Sequence, residues 1–255
     1  MGKKKGDVVV LIILIILLVS INYSWLDSLV IKEFSGREKV DVIRVIDGDT
    51  FEIVYNGNKT SVRLLGINTP EKGEKYSAEA KQFLESKVLN KTVELEFGKE
   101  KYDLYKRLLA YVYINRENVN EEVIKKGFAN FYFPSGKDGH YEYFKNAWEE
   151  CLNENINFCE KSKDACAECV KIKEWDVKKD FVIFENSCNF NCDITSWSVK
   201  DEGRKKFVFG SLILKGSQEV KLTAKDFNKN YVWTSTGDSL FLRDKEGGLV
   251  LWENY

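Results

Sequence analysis

A chain of 255 residues, 44% of them hydrophobic and 31% charged, is long enough for two domains of about 100 residues beside a short N-terminal segment. Lys and Arg (39) balance Asp and Glu (40) to a formal charge of −1, and the single histidine, His140, excludes an imidazole-built zinc site or an array of histidine bases. Residues 40–150 carry 17 basic against 19 acidic side chains, so no basic footprint for a polyanion shows in the counts and any positive potential has to be local.

In chain order, Lys3, Lys4 and Lys5 precede an apolar run over residues 8–19 that a softer stretch extends to Leu26. This reads as a membrane anchor or signal segment over residues 1–26. With no small-x-small cleavage pattern after it, an uncleaved transmembrane helix is favoured over a removed leader or a buried core helix. The lysines are expected on the inside, which makes the body of the protein extracytoplasmic, at the cell surface, or secreted if the segment is cleaved.

Period-two alternation predicts strands at 40–45 and 50–55 around the Asp47-Gly48 turn; a third strand at 60–65 follows the Asn56-Gly57-Asn58 turn, and strands at 92–97 and 109–114 complete five. Helices are predicted from Ser77, as cap, with Ala80, Phe83, Leu84 and Val88 on one face; from Asn120 to Gly127; and over 141–153 with Phe144, Trp148, Cys151 and Leu152 inward. Five strands with three helices suggest an OB-like barrel. A polar linker at 159–168 closes this part. Beyond it, short strands at 170–175, 181–186, 196–199, 206–214, 219–223 and 239–243 suggest an all-β sandwich with Trp197 in its core.

The six cysteines, Cys151, Cys159, Cys166, Cys169, Cys188 and Cys192, are even in number and late in the chain. They are read as disulfide candidates in an oxidising compartment, with a four-thiolate zinc site at Cys166, Cys169, Cys188 and Cys192 as the alternative.

Three segments carry chemistry: Asp47-Gly48-Asp49-Thr50, then Arg63-Leu-Leu-Gly-Ile-Asn68-Thr69-Pro70-Glu71, then Asp103-Leu-Tyr105-Lys-Arg107. Asp49, Asn68 and the Thr69 carbonyl form an oxygen set suited to a hard cation, Arg63 and Arg107 suit phosphodiester oxygens, and Glu71 suits activation of water. Each has a plainer counterpart: a hairpin turn at Asp49, a solvated strand arginine at Arg63, a surface ion pair at Arg107, a solvated carboxylate at Glu71. Tyr105 is a substrate contact or a core ring. In the aromatic run 128–133, mostly core, Tyr132 or Phe133 is a candidate base-stacking platform.

Over residues of about 40–158 these motifs resemble the staphylococcal nuclease (thermonuclease) family. The resemblance implies an OB-like five-stranded barrel with Asp49, Asn68 and Thr69 at a Ca2+ site, Arg63 and Arg107 on phosphate, Glu71 as catalytic carboxylate and Tyr105 on substrate. It further implies hydrolysis of DNA or RNA that leaves 3′-phosphates. Asn68 stands where the family has a second aspartate, which implies weaker calcium binding, and Leu104 and Lys106 replace the family's residues flanking Tyr105. Residues 181–187, 193–201 and 233–249 resemble the lamin-tail domain, an immunoglobulin-like β-sandwich, which implies a binding module whose partner is unknown. The expected organisation is an anchor at 1–26, a nuclease-like domain at 37–158 and a lamin-tail-like domain at 170–255. The alternatives are a non-catalytic nucleic-acid or protein-binding scaffold on a nuclease-like barrel, and an envelope structural protein.

Overall fold

The computed structural model describes residues 36–255, and the expected anchor over residues 1–26 lies outside the described residues. No helix among the described residues is long and apolar enough to cross a membrane. Val40–Tyr255 forms one compact unit.

Strands β1 (Glu38–Val45), β2 (Thr50–Tyr55) and β3 (Asn58–Leu64) form an antiparallel meander, followed by the short β4 (Ile67–Asn68) and helix α1 (Ser77–Val88). Then come β5 (Thr92–Tyr102), β6 (Leu108–Ile114), β7 (Glu117–Asn118), α2 (Val119–Lys125), β8 (Asn130–Phe131) and α3 (Tyr141–Glu154). The sheet order β3-β2-β1-β5-β6 closes on itself where β3 runs parallel to β6, with Arg63 opposite Leu109. This is the expected five-stranded barrel. Its inner positions, among them Phe51, Ile53, Val62, Leu95 and Val112, are fully buried because the alternation of apolar residues matches the pleat.

The helices lie at the predicted places with different ends. Ser77 does not cap α1: the chain enters from Tyr76 at φ 68° without a side-chain cap. The α2 cap is Asn118, whose side chain accepts the Glu121 amide, so α2 starts one residue before Asn120. Gly48 is required by crowding rather than by φ, since a Cβ there would sit 2.7 Å from the Ala80 Cβ and 3.1 Å from the Thr69 Cβ. That approach presses the β1–β2 turn against the segment that carries Asn68 and Thr69.

The second half contains β9 (Val170–Asp176), β10 (Phe181–Asn186), β11 (Cys192–Asp193), β12 (Ser198–Lys200), β13 (Lys206–Val208), β14 (Ile213–Leu214), β15 (Glu219–Thr223), β16 (Ser239–Arg243) and β17 (Leu249–Asn254). They form a three-stranded sheet β15-β10-β9, a four-stranded sheet β13-β12-β16-β17 and the pair β11-β14. Val182, Phe184 and Leu222 meet Val199, Leu240 and Leu242 in one core around Trp197, which is fully buried as expected. The predicted strand over 206–214 is two short strands. The one predicted from residue 196 begins at Ser198, because Ser196 sits at φ 64°. Strand β17 was not anticipated: both of its faces are partly covered, so it lacks a clean alternation.

Phe241 and Leu249 of this half belong to the barrel's core cluster, with Trp252 packed against it, and Trp148 of α3 meets Phe241 and Trp252 edge-on. Three disulfides join Cys151 to Cys159, Cys166 to Cys192 and Cys169 to Cys188. All four sulfurs of the alternative zinc set are thereby bonded in pairs, and no cluster of three or more metal-binding side chains of the His, Cys, Asp and Glu type occurs among the described residues.

Candidate active site

Asp49 immediately precedes β2 and Thr50 opens it, Arg63 lies next to the end of β3, and Asn68 and Thr69 follow a tight turn, so barrel closure gathers the first two motifs at one end of the barrel. Arg63 Nη1 lies 3.0 Å from Asp49 Oδ2, with both side chains about nine-tenths buried. The guanidinium also donates from Nη1 to the Leu64 carbonyl (2.9 Å) and from Nη2 to the Ile67 carbonyl (3.0 Å). Thr50 Oγ1 donates to Asp49 Oδ1 and Thr69 Oγ1 to Asp49 Oδ2. Burial alone would raise the Asp49 carboxyl, but Arg63 and the two hydroxyls outweigh it and hold it below the usual carboxylate range. Asp47 goes the other way, raised by burial and by the neighbouring Asp49 charge.

Glu71 lies two residues past Thr69 on the exposed loop into α1, where Glu71 N donates to Glu74 Oε2. Arg107 belongs to a separate turn: Asp103 accepts the amides of Tyr105 and Arg107 and pairs with Arg107 Nε at 2.7 Å. The β3–β6 register puts Arg107 two residues before the partner of Arg63 and on the same side of the barrel wall, without a hydrogen bond or ion pair between them. Tyr105 is 80% exposed, which removes the core-packing alternative, and Arg107 sits over its ring. Tyr132 is half-buried. Phe133 does not offer a stacking platform: it is buried against Tyr141 and Phe144, so the aromatic run packs inward there. His140 stacks on Tyr111 and bonds to the Tyr113 hydroxyl, away from these groups.

The second half completes the site, which sequence reasoning missed. The loop at 201–205 lies on it. Asn68 Nδ2 donates to the carbonyls of Glu202 (3.1 Å) and Gly203 (2.9 Å), and Asn130 Nδ2, from the residue paired with Asn68 across β4–β8, donates to Glu202 O (2.9 Å). Arg204 Nε pairs with Glu71 Oε1 at 2.6 Å and Lys206 Nζ with Glu74 Oε1 at 3.0 Å. A carboxylate at position 68 could donate to neither carbonyl, so the departure to asparagine fits this docking. The available signals were the asparagine itself and the cationic run Arg204-Lys205-Lys206 after Glu202-Gly203.

Glu202 is buried beneath the loop, accepts the Ser239 hydroxyl, and is pushed up to about 8 by burial, then by the Asp238 charge. Its folded value lies above its ordinary one near 4.5, so the folded protein holds a proton that the unfolded chain releases. Stability from this group is therefore complete below about 4.5 and declines as pH rises toward 8. We expect unfolding in urea to lose on the order of 2–4 kcal/mol between pH 5 and 8 and Glu202→Gln to flatten that slope by more than half. An unchanged slope in the variant would reject this assignment.

A family pattern described as staphylococcal nuclease homologue matches residues 61–178. The thermonuclease of Staphylococcus intermedius is 34% identical over 126 residues, covering 47% of this chain and 75% of the relative. The chain belongs to the staphylococcal nuclease family. The thermonuclease of Staphylococcus hyicus is 37% identical over 111 residues (40% of this chain, 66% of the relative), and the SPbeta prophage-derived endonuclease YokF of Bacillus subtilis is 35% identical over 159 residues (56% and 53%). The chain thus spans about half to two thirds of the length of several of the nucleases it matches. Within the staphylococcal nuclease family, the pattern starting at residue 61 takes in Arg63, Asn68, Thr69, Glu71 and Arg107, and the observed barrel is the fold the motifs implied.

Proposed function

We propose that the protein is a nuclease that hydrolyses phosphodiester bonds of DNA or RNA, a reading supported by its similarity to relatives named thermonuclease and endonuclease. The observation that carries this reading is the buried Arg63–Asp49 pair at the barrel end, which the Thr69 hydroxyl joins two residues before Glu71. A charged pair taken out of water stabilises a fold weakly, whereas a guanidinium fixed by two carbonyls is pre-aimed at phosphate oxygens. In this reading Arg63 and Arg107 hold the non-bridging oxygens and stabilise the charge added at phosphorus. Glu71, exposed and paired only with the solvated Arg204 side chain among the ion pairs of the described residues, orients or deprotonates the attacking water.

The donors Asp49, Asn68 Oδ1 and the Thr69 carbonyl are all oxygens and suit a calcium ion. Asp47 is raised first by burial and then by the Asp49 charge, and the second of these is negative potential that a cation would relieve. Bound there, calcium would polarise a phosphoryl oxygen. Asn68 contributes no charge, so Asn68→Asp is expected to lower the calcium concentration for half-maximal activity. The same change loses two bonds to the 201–205 loop and costs about 1–3 kcal/mol of stability in chelator. An unchanged or higher calcium midpoint would sink this account.

The decisive assay is cleavage of single- and double-stranded DNA and of RNA with calcium, magnesium or chelator. No cleavage above that of Glu71→Gln under any condition would leave the scaffold reading in its place. For the second half we infer a lamin-tail-like, immunoglobulin-like sandwich, supported by its two antiparallel sheets on one core. We also hold to an extracytoplasmic, membrane-anchored body, supported by the N-terminal lysines and apolar run and by the three disulfides. Protease added to intact cells should then remove the body of the protein, and full protection would reverse the topology.

A further inference from the structure

On the four-stranded sheet of the second half, residue alternation separates two environments. Val199 and Leu242 point into the core, whereas the registers Ser198↔Arg243, Lys200↔Lys206 and Lys200↔Phe241 place the intervening side chains on the opposite face. That face borders a cleft of about 230 Å³ whose other wall is Glu74, Tyr76 and Phe158. Five cationic and three acidic side chains line it.

The acidic groups that lie deep in it are already engaged. Asp244 accepts the Glu246 and Gly248 amides on one oxygen and the Ser162 hydroxyl on the other. Glu74 takes Lys206 and the Glu71 amide, and Glu246 is exposed. Arg243 is only 7% exposed, its guanidinium lies 3.7 Å from the Phe158 ring centroid, and Nη1 donates to the Gly247 carbonyl. Its Nε and Nη2 are buried and have no partner. These two atoms form one edge of the guanidinium, the edge that matches two oxygens of a phosphate. Beside it the half-buried Lys200 has no carboxylate within ion-pair distance among the described residues, and burial lowers its ammonium to about 8, still largely charged at neutral pH. A cation withdrawn from water without an ion-pair partner is costly, so a wall that holds the buried Arg243 and the half-buried Lys200 is suited to an anion.

We propose that this cleft binds a phosphate oxyanion, gripped by the Nε–Nη2 edge of Arg243 with Lys200 as the second cation and Ser198 as a hydroxyl donor. The site is distinct from the one built on Asp49 and Arg63, and its occupation does not depend on cleavage. It touches that site through Glu74, which holds Lys206 on one side and the Glu71 amide on the other. Two sources share the chemistry: a backbone phosphate of a strand crossing the Glu71 loop, and free phosphate or a terminal phosphate of a small product.

The test uses the full chain in chelator. Thermal unfolding midpoints are measured against sodium phosphate at ionic strength held constant with chloride, for the wild type, Arg243→Met and Lys200→Met. The wild-type midpoint is expected to rise saturably by a few degrees, and Arg243→Met to show no phosphate-dependent rise. Without phosphate, Arg243→Met should melt at or above the wild type, since an unpaired buried charge has gone. No rise beyond the chloride control, or equal rises in wild type and Arg243→Met, would overturn the proposal. Should Arg243→Met fail to fold, Lys200→Met decides: at least threefold weaker half-saturation supports it, and unchanged half-saturation overturns it.

The source is read from anisotropy of a labelled eight-nucleotide oligothymidylate in the same chelator. A threefold or greater loss of affinity in the folded variant, with the log–log salt slope reduced by about 0.7, assigns the cleft to a strand phosphate. Unchanged oligonucleotide binding with lost phosphate stabilisation assigns it to a free or terminal phosphate. Because both arms are binding measurements without metal, they stand or fall separately from nuclease activity.

Discussion

Glu71→Gln is expected to lower turnover by a factor of about 10²–10⁴ while leaving the unfolding curve almost unchanged. The carboxylate stands on a loop, its side chain 53% exposed, and it pairs with the still more exposed Arg204. Exposed pairs contribute at most about 1 kcal/mol, so glutamine, which keeps the shape and an acceptor oxygen, changes stability by less than that. What it removes is the negative charge that orients or deprotonates water. Arg204→Ala provides the complementary reading. It takes away the group that competes for the carboxylate, and is expected to raise turnover by up to about fivefold, the equivalent of the same 1 kcal/mol. Turnover of Glu71→Gln within a few fold of the wild type would show that the water is activated elsewhere.

The barrel was legible because its first strands combine a two-residue alternation of apolar residues with turn signals at Asp47-Gly48 and Asn56-Gly57, and because the buried apolar positions follow that period, as at Phe51, Ile53, Val62 and Leu64. The Asp49, Arg63 and Thr69 group was legible for the same reason: the three residues lie close in sequence on elements that have to adjoin. Phe133 was misread, since a run of rings carries no period that says which of them faces solvent. The docking of the second half was not legible. Asn68 meets Glu202 and Gly203 across 134 and 135 residues, and a strand pattern does not say which face of a distant sheet will cover a site. Only the chemistry of an amide in place of a carboxylate pointed at an acceptor there, and two backbone carbonyls are what it found.

The two arginines are expected to separate cleanly. Arg107→Ala should lower turnover by on the order of 10² or more, the loss of one charge-assisted contact to the transition state. It should leave folding intact, because Arg107 is part-exposed and pairs with Asp103, which keeps its backbone donors from Tyr105 and Arg107 after the side chain is gone. Arg63→Ala is a different experiment. Its guanidinium meets Asp49 and two carbonyls in a buried setting, and deleting it strands a buried carboxylate, at a cost of about 3–5 kcal/mol. Lost activity in that variant would mix unfolding with chemistry, so the informative change is Arg63→Lys. Lysine keeps the charge beside Asp49 but lacks the planar fork that reaches Leu64 O, Ile67 O and a phosphate together. Turnover is expected to fall about 10²-fold in Arg63→Lys, with unfolding still cooperative at a midpoint above the assay temperature. If both Arg63→Lys and Arg107→Ala stayed within a few fold of the wild type while folded, the charge added at phosphorus would have to be met by other groups, and the assignment of this barrel end as the catalytic centre would fail.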